Sequence, residues 1–302
     1  MPDQKPAVSL AALPGRRLAT LEIARQIEAR GFAGIYTPSL QDNMSLCLSL
    51  AHVTKTIPFG TTIAPIYFRT PHDWGQAAAY LHEVSGGRFR FGIGVSHGPT
   101  LKRIGANAGK PLADTRKFVE ELRALPRIGQ LPPITLATLR QKMIALAGEI
   151  AEGMVFANGA RTHMQASLGA LPGAKRRDPN FFIGCMTPTT ISDDVEAAKA
   201  VNRRTLTGYV QLPNYREYWK EAGYVEEMTA IEAAIAKGEL DRLPSLMSDK
   251  WLADVTLFGP AAKVRDGLAA WREAGITTPI LVPSSVGGNQ MQALDEMFRA
   301  FA

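Results

Sequence analysis

From residue 7 onward the chain alternates short runs rich in β-branched and aromatic residues with longer amphipathic stretches. The runs "AVSLAAL", "FAGIYT" and "FGTTIAPI" come first, followed by the stretch "GGRFRFGIGVSHGP" at 86–99. "PPITLAT", "GMVFAN", "NFFIGCMT" and "TPILVPSS" complete a set of eight. Between the seventh and eighth lies a helical insertion at about 192–258, and elsewhere helical patterns separate the runs. Helix boundaries carry the expected chemistry: Asp42 or Asn43 and Thr70 as N-caps, Pro71 in a first turn, Gly31 and Gly86 as stops. Strands each followed by a helix, with no second cluster of strands, predict an α/β fold of the (β/α)8 TIM barrel type, treated as one domain over 1–302. An open doubly wound sheet is the alternative.

Composition narrows the partners. A chain of 302 residues with 46% hydrophobic and 21% charged content can bury a large core. No apolar run reaches the ~20 residues that span a bilayer, and the start "MPDQKPAVSL" has no secretory pattern, so a cytoplasmic protein is expected. Cys47 and Cys185 stand apart in apolar surroundings, which predicts buried unpaired thiols and no metal site. The net charge of +6 favours anionic partners such as phosphates or polyglutamate. Nucleic acid is not expected, because no recognition motif accompanies that charge and "GAKRRD" reads as a surface turn.

Two loops draw attention. Gly92, Gly94 and Gly98 spell G-x-G-x-x-x-G, one residue too long for a dinucleotide fingerprint, and they follow the fourth strand with Pro99 next. The glycines either relieve crowding in the barrel or let backbone N–H groups, with Ser96 and His97, cradle an anion at the C-terminal face. After the sixth strand, "ANGAR" offers the N–H groups of Gly159 and Ala160 at a helix start, with Arg161 as a charged donor. An ordinary capped helix explains that loop equally well.

In this order and spacing, "ARGFAGIYTPS", "FGTTIAPIYFRTPHDWGQAAAYLHEVSGGRFRFGIGVSHGP", "PPITLAT", "LAGEIAEGMVFANGA" and "LTGYVQLPNYREYWKEAGY" resemble the bacterial luciferase-like monooxygenase superfamily. The resemblance covers nearly the whole chain and implies a flavin or deazaflavin oxidoreductase. It places the cofactor at the barrel mouth, with Thr61 and Thr62 where the family often has a non-proline cis peptide. Gly94, Val95, Ser96 and His97 match one phosphate-contacting loop, and Asn158, Gly159, Ala160 and Arg161 match the other. The segment "LPNYREYWKEAGY" tilts the cofactor toward coenzyme F420, with FMN as the alternative. The Asp-His pair found after strand two in some deazaflavin dehydrogenases is replaced by "PSLQD", and the lysine or threonine often found after strand six is absent. Both departures argue against a sugar-phosphate substrate.

The implied function is hydride transfer between the deazaflavin and a small organic molecule, in a chain expected to form a homodimer through its second and third helices. An FMN-dependent monooxygenase, a non-catalytic flavin-binding protein and a flavin-free lyase are the alternatives. His97 is the leading catalytic candidate, since imidazole exchanges protons near neutrality at the end of a barrel strand. Tyr36 and Tyr67 are further candidates as proton donors or stacking partners, or are packed aromatics. Arg69 contacts an anion or pairs with a carboxylate. Tyr209, Tyr215, Tyr218 and Trp219 form either an aromatic lid or a packed helix face.

Overall fold

The computed structural model describes residues 4–40 and 42–302. Its strands are β1 (Ala7–Ser9), β2 (Ile35–Thr37), β3 (Phe59–Pro65), β4 (Phe89–Gly94), β5 (Ile134–Thr138), β6 (Gly153–Ala157), β7 (Phe182–Ile191), β8 (Leu257–Gly259) and β9 (Thr278–Ser284). The architecture is a (β/α)8 TIM barrel with a helical insertion before its last strand. Seven of the expected runs became β1 to β7, and the eighth became β9. The short β8 was not foreseen: it pairs in parallel with the end of β7, Thr189 against Leu257 and Ile191 against Gly259, inside what reads as helical sequence. Three residues are too few to show a period of two.

The chain divides into two compact units. The first runs to Phe156 and takes in Leu168–Gly184. Here β1 to β6 lie side by side in chain order, parallel, with Val8 opposite Ile35, Ile35 opposite Phe59 and Phe59 opposite Phe89. These strands are buried along nearly their whole length, as expected where helices cover one face and a barrel interior the other. Helix starts follow the local chemistry: Asp42 accepts the N–H of Ser45 at 3.1 Å, and Thr70 accepts that of Asp73 at 3.2 Å with Pro71 in the first turn. A short helix, Gly98–Arg103, opens sooner than the pattern near Leu112 suggests, because Pro99 sits in its first turn, where a missing N–H costs nothing.

At the start of β4, Arg88 ties the preceding turns together. Its guanidinium donates to the carbonyls of Ser85, Ile57, Ala51 and Thr54 and to the Thr54 hydroxyl, at 2.8–3.2 Å, and lies over the Phe59 ring. Glu28 closes the same turn by accepting the N–H groups of Lys55, Thr56 and Ile57.

The second unit, Ala157–Ser167 with Cys185–Ala302, holds the insertion. Its helices are Val195–Val210, Pro213–Glu221, Val225–Ala236 and Asp249–Val255, with a 3-10 segment at Leu240–Leu246. Asn202, fully buried, accepts from the Thr190 hydroxyl at 2.8 Å and donates to the Leu257 carbonyl at 3.1 Å, so one side chain holds both β7 and β8 to the first of these helices.

Gly92 tests how tightly the strands fit. A Cβ there would stand 2.1 Å from the Thr61 carbonyl oxygen and 2.6 Å from that of Thr62, whereas one at Gly98 meets nothing within 4 Å. Gly92→Ala is therefore expected to cost about 3 kcal/mol or more, because both obstacles are backbone, and Gly98→Ala to stay within about 1 kcal/mol of wild type. Chemical denaturation of the two variants measures the difference.

Candidate functional site

Sites in this fold are built at the C-terminal ends of the strands. In the first unit, β4 ends there in Gly94, followed by half-buried Val95, Ser96 and His97. Ser96 adopts φ 65°, a left-handed conformation that costs a residue with a side chain on the order of 1–2 kcal/mol. Such outliers persist where surrounding structure over-determines them, and they cluster at functional sites. Burial pulls the His97 imidazole below its ordinary 6.5, so it is neutral at pH 7. This loop fits a polar ligand: a half-buried neutral imidazole and a serine hydroxyl follow directly on a barrel strand.

The glycines of β4 itself have another task. Gly92 is required by the β3 carbonyls, and a Cβ at Gly94 would lie 2.9 Å from the Ala137 Cβ and 3.1 Å from Ile63 Cγ2. Crowding therefore explains Gly92, and it also acts on Gly94.

Thr61 and Thr62 are buried, and their hydroxyls are committed to neighbouring strands. Thr61 Oγ1 donates to the Gly92 carbonyl at 2.7 Å and accepts the Gly92 N–H at 3.0 Å, and Thr62 Oγ1 donates to the Thr37 carbonyl at 3.0 Å. The cis peptide that the resemblance placed here is not found: every peptide bond among the described residues is trans. The β3–β4 register shifts between Thr61 and Ala64 instead, so a strand irregularity stands where the isomer was expected.

Neither tyrosine candidate is a free acid. Tyr36 is buried, its ring 5.3 Å from that of Phe182, and a Cβ on Gly34 would touch it at 2.9 Å. Arg90, which bonds Tyr36 and stacks on Phe182 at 4.7 Å, belongs to the first half of β4, and Phe182 begins β7. Tyr36 thus packs toward the N-terminal ends of the strands, away from the face where sites form, and burial pushes its phenol up to about 12. Tyr67 follows β3 and donates to Asp114 Oδ2 at 2.5 Å, an oxygen that also accepts the Gly109 N–H at 2.8 Å. Desolvation and this carboxylate hold its phenol well above the ordinary value. Arg69 pairs with Asp73 at 3.5 Å and Asp42 at 3.8 Å and covers Trp74, which is the carboxylate-pairing alternative.

In the second unit the loop after β6 carries Asn158, Gly159, Ala160 and Arg161. Asn158 has φ 56° and is buried; its N–H donates to the Met186 carbonyl and its carbonyl accepts Trp219 Nε1 at 3.1 Å. Gly159 bonds Cys185 through its backbone, and the Ala160 N–H donates to the Tyr218 hydroxyl at 3.0 Å. The Thr162 N–H and hydroxyl both donate to Asp254, at 2.9 and 2.7 Å, and Tyr224 donates to the same buried carboxylate at 2.9 Å. Of the two backbone donors expected to cradle a phosphate, the Ala160 N–H is already paired within the protein. Arg161 is half-buried and begins the 3-10 turn Arg161–His163 that follows.

Tyr218 and Asp254 went unrecognised as partners of this loop because they lie far from it in sequence. The aromatic residues of the insertion are packed: Tyr215, Tyr218 and Trp219 are buried, and Trp219 meets Trp251 edge-on at 4.9 Å. Cys47 and Cys185 are buried free thiols, as expected, pushed up to about 12 and about 11 by burial. Among the described residues no cluster of potential metal ligands forms, and no helix is long and apolar enough to cross a membrane.

The model of luciferase-like monooxygenases matches residues 7–278. The chain belongs to that family. A Mycobacterium tuberculosis protein provisionally named a coenzyme F420-dependent oxidoreductase is 26% identical over an alignment covering 87% of this chain and 90% of the relative. The coenzyme F420-dependent tetrahydromethanopterin reductase of Methanopyrus kandleri superposes with a TM-score of 0.78 at 18% identity, covering 98% of each chain. An F420-dependent secondary alcohol dehydrogenase, solved with an F420–acetone adduct, gives 0.73 at 15% identity over 98% of each chain. At these identities the two structures establish a shared fold. Within that luciferase-like frame the loop after β4 is the part of the first unit whose geometry suits a ligand.

Two outcomes follow. His97 is held neutral, so its contribution to stability is full above pH 6.5 and is lost as the pH falls below it toward the lowered folded-state value. Acidification from pH 7 to 5 should lower the melting temperature of wild type more than that of His97→Gln, with the imidazole titrating below 6.5 by NMR. Asp254→Ala strips the acceptor from three donors and should cost about 3 kcal/mol in denaturant titrations.

Proposed function

We propose that this luciferase-like protein is an oxidoreductase that transfers a hydride between coenzyme F420 and a small organic substrate. The observation that carries the reading is the loop after β4, where strained Ser96 and neutral His97 stand at the C-terminal end of a barrel strand. Full-length similarity to a protein bearing the F420-dependent oxidoreductase name supports the choice of cofactor. The family's description as monooxygenases supports FMN with oxygen as the second reading.

Coenzyme F420, when bound, supplies a two-electron hydride donor or acceptor. The protein's part is binding, orientation and proton handling. Ser96 and His97 are the residues placed to contact the cofactor, and Val95 contributes an apolar surface beside them. A neutral imidazole can accept the proton that leaves a hydroxyl when it is oxidised to a carbonyl, and the resulting imidazolium can return it in the reverse direction. Partial burial lowers the dielectric around that exchange and keeps the resting imidazole unprotonated at pH 7. Tyr67, bound to Asp114, positions the 3-10 turn after β3 and leaves His97 as the proton carrier.

The test is a fluorescence titration of the purified protein with F420, FMN and FAD, followed by oxygen-uptake measurement on the reduced complexes. Binding of F420 without oxygen uptake is the expected result. FMN binding with rapid uptake would establish the monooxygenase, and binding of none of the three would overturn both. His97→Ala should keep F420 affinity within about fivefold of wild type and lower turnover about 100-fold or more, the weight of one general base.

A further inference from the structure

The stretch between β4 and the next long helix, Pro111–Ala124, is tied by hydrogen bonds only at its ends. No residue between Gly94 and Thr115 is buried, although β4 before it and the helix after it are anchored by buried side chains. Its own bonds run inward: the N–H groups of Leu101, Ile104, Gly105 and Ala106 donate to the carbonyls of His97, Thr100, Lys102 and Leu101 at 3.0–3.2 Å. Among the described residues, no hydrogen bond joins 98–108 to another element. A segment with few buried contacts and a backbone satisfied within itself moves as a unit at little cost.

One carboxylate fixes the far end. Asp114 Oδ2, in the first turn of the long helix, accepts the Gly109 N–H at 2.8 Å and the Tyr67 hydroxyl at 2.5 Å. A Cβ on Gly109 would stand 2.8 Å from Asp114 Oδ1, so a glycine is what lets the chain close on this side chain. Tyr67 belongs to the 3-10 turn Ile66–Phe68 that follows β3, the neighbour of β4. The segment therefore leaves the C-terminal end of β4 through Ser96 and His97 and is pinned again beside the C-terminal end of β3. Along it Thr100, Leu101 and Ala106 are partly covered, whereas Lys102, Arg103 and Ile104 are exposed. The inner face is thus uncharged, and the cations point to solvent.

We propose that residues 98–110 form a strap that closes over an uncharged part of the molecule bound at Ser96 and His97, and that Asp114 is the positioning residue that sets its closed position. The identity of that molecule rests on the oxidoreductase reading; the anchoring of the strap does not. An uncharged inner face removes a neutral portion of a ligand from water without burying an unpaired charge. With the far end fixed, His97 at the near end keeps its half-buried setting. Loss of the anchor frees the far end and returns the imidazole toward water.

The experiment is limited trypsin digestion, read by mass spectrometry, of the full chain as wild type, Asp114→Ala, Asp114→Asn and Tyr67→Phe, with and without F420 or FMN. Trypsin cuts after the exposed Lys102 and Arg103, and Pro111 protects Lys110; cutting after exposed Arg127, beyond the other end of the long helix, is the reference for general loosening. Relative to that reference, Asp114→Ala should speed strap cutting about tenfold, and Tyr67→Phe, which removes one of the two bonds, by less. Asp114→Asn, whose amide oxygen still accepts both donors, should stay near wild type. Bound cofactor should slow strap cutting about tenfold in wild type and less in Asp114→Ala, because the ligand favours the closed position. By NMR the His97 imidazole should titrate nearer its ordinary 6.5 in Asp114→Ala than in wild type or Asp114→Asn.

Equal strap cutting in wild type, Asp114→Ala and Tyr67→Phe would overturn the role of Asp114, and Tyr67→Phe reads the same anchor if Asp114→Ala fails to fold. Binding of F420 or FMN with no protection of the strap would overturn the closure and leave the oxidoreductase reading standing. Failure of wild type to bind either cofactor would overturn that reading and the closure with it.

Discussion

The close approach of β3 and β4 is the constraint on which the candidate loop of the first unit depends. Gly60 lies against the Arg90 carbonyl and Gly92 against those of Thr61 and Thr62, distances no side chain tolerates. Thr61 then joins both the N–H and the carbonyl of Gly92 through one hydroxyl. With β4 pinned at that point and Arg88 anchoring its start through five hydrogen bonds, the residues after Gly94 emerge from a rigid support. A rigid support is what allows Ser96 to stay in a conformation the isolated residue would leave.

The second unit uses a different device for the same end. Its loop after β6 is not backed by glycine contacts but is gripped from the insertion, by Trp219 on Asn158, Tyr218 on Ala160 and Asp254 on Thr162. The insertion is therefore built into the loop's conformation. The aromatic row of the insertion is correspondingly buried: Tyr218 and Trp219 are held by hydrogen bonds to the loop, and Tyr215 by its ring contact with Tyr209. Two N–H groups of the helix start that looks like an anion cradle are already satisfied, by a phenol and a carboxylate of the protein.

Much of this was legible beforehand. The alternation of strand and helix, the caps at Asp42 and Thr70, and the count between Gly92, Gly94 and Gly98 all act over a few residues, where side-chain period and backbone freedom speak for themselves. Placement of His97 at the end of a barrel strand followed from that order. Tyr36 and Tyr67 show the opposite case. Each sits in sequence near a strand end, yet Phe182 and Asp114, well over a hundred and nearly fifty positions away, decide that one ring packs toward the N-terminal ends of the strands and the other donates its hydrogen bond to a carboxylate.

The sequence by itself determined the barrel, eight of the nine strands and the place of the two loops, because hydrophobic period, turn residues and caps are local and summed along the chain. Only the tertiary structure decided which polar groups in those loops remain unspent. Whether a hydroxyl, an amide or an N–H is available to a ligand depends on what distant residue stands within 3 Å of it. The Ala160 N–H, taken by the Tyr218 hydroxyl nearly sixty positions away, shows it.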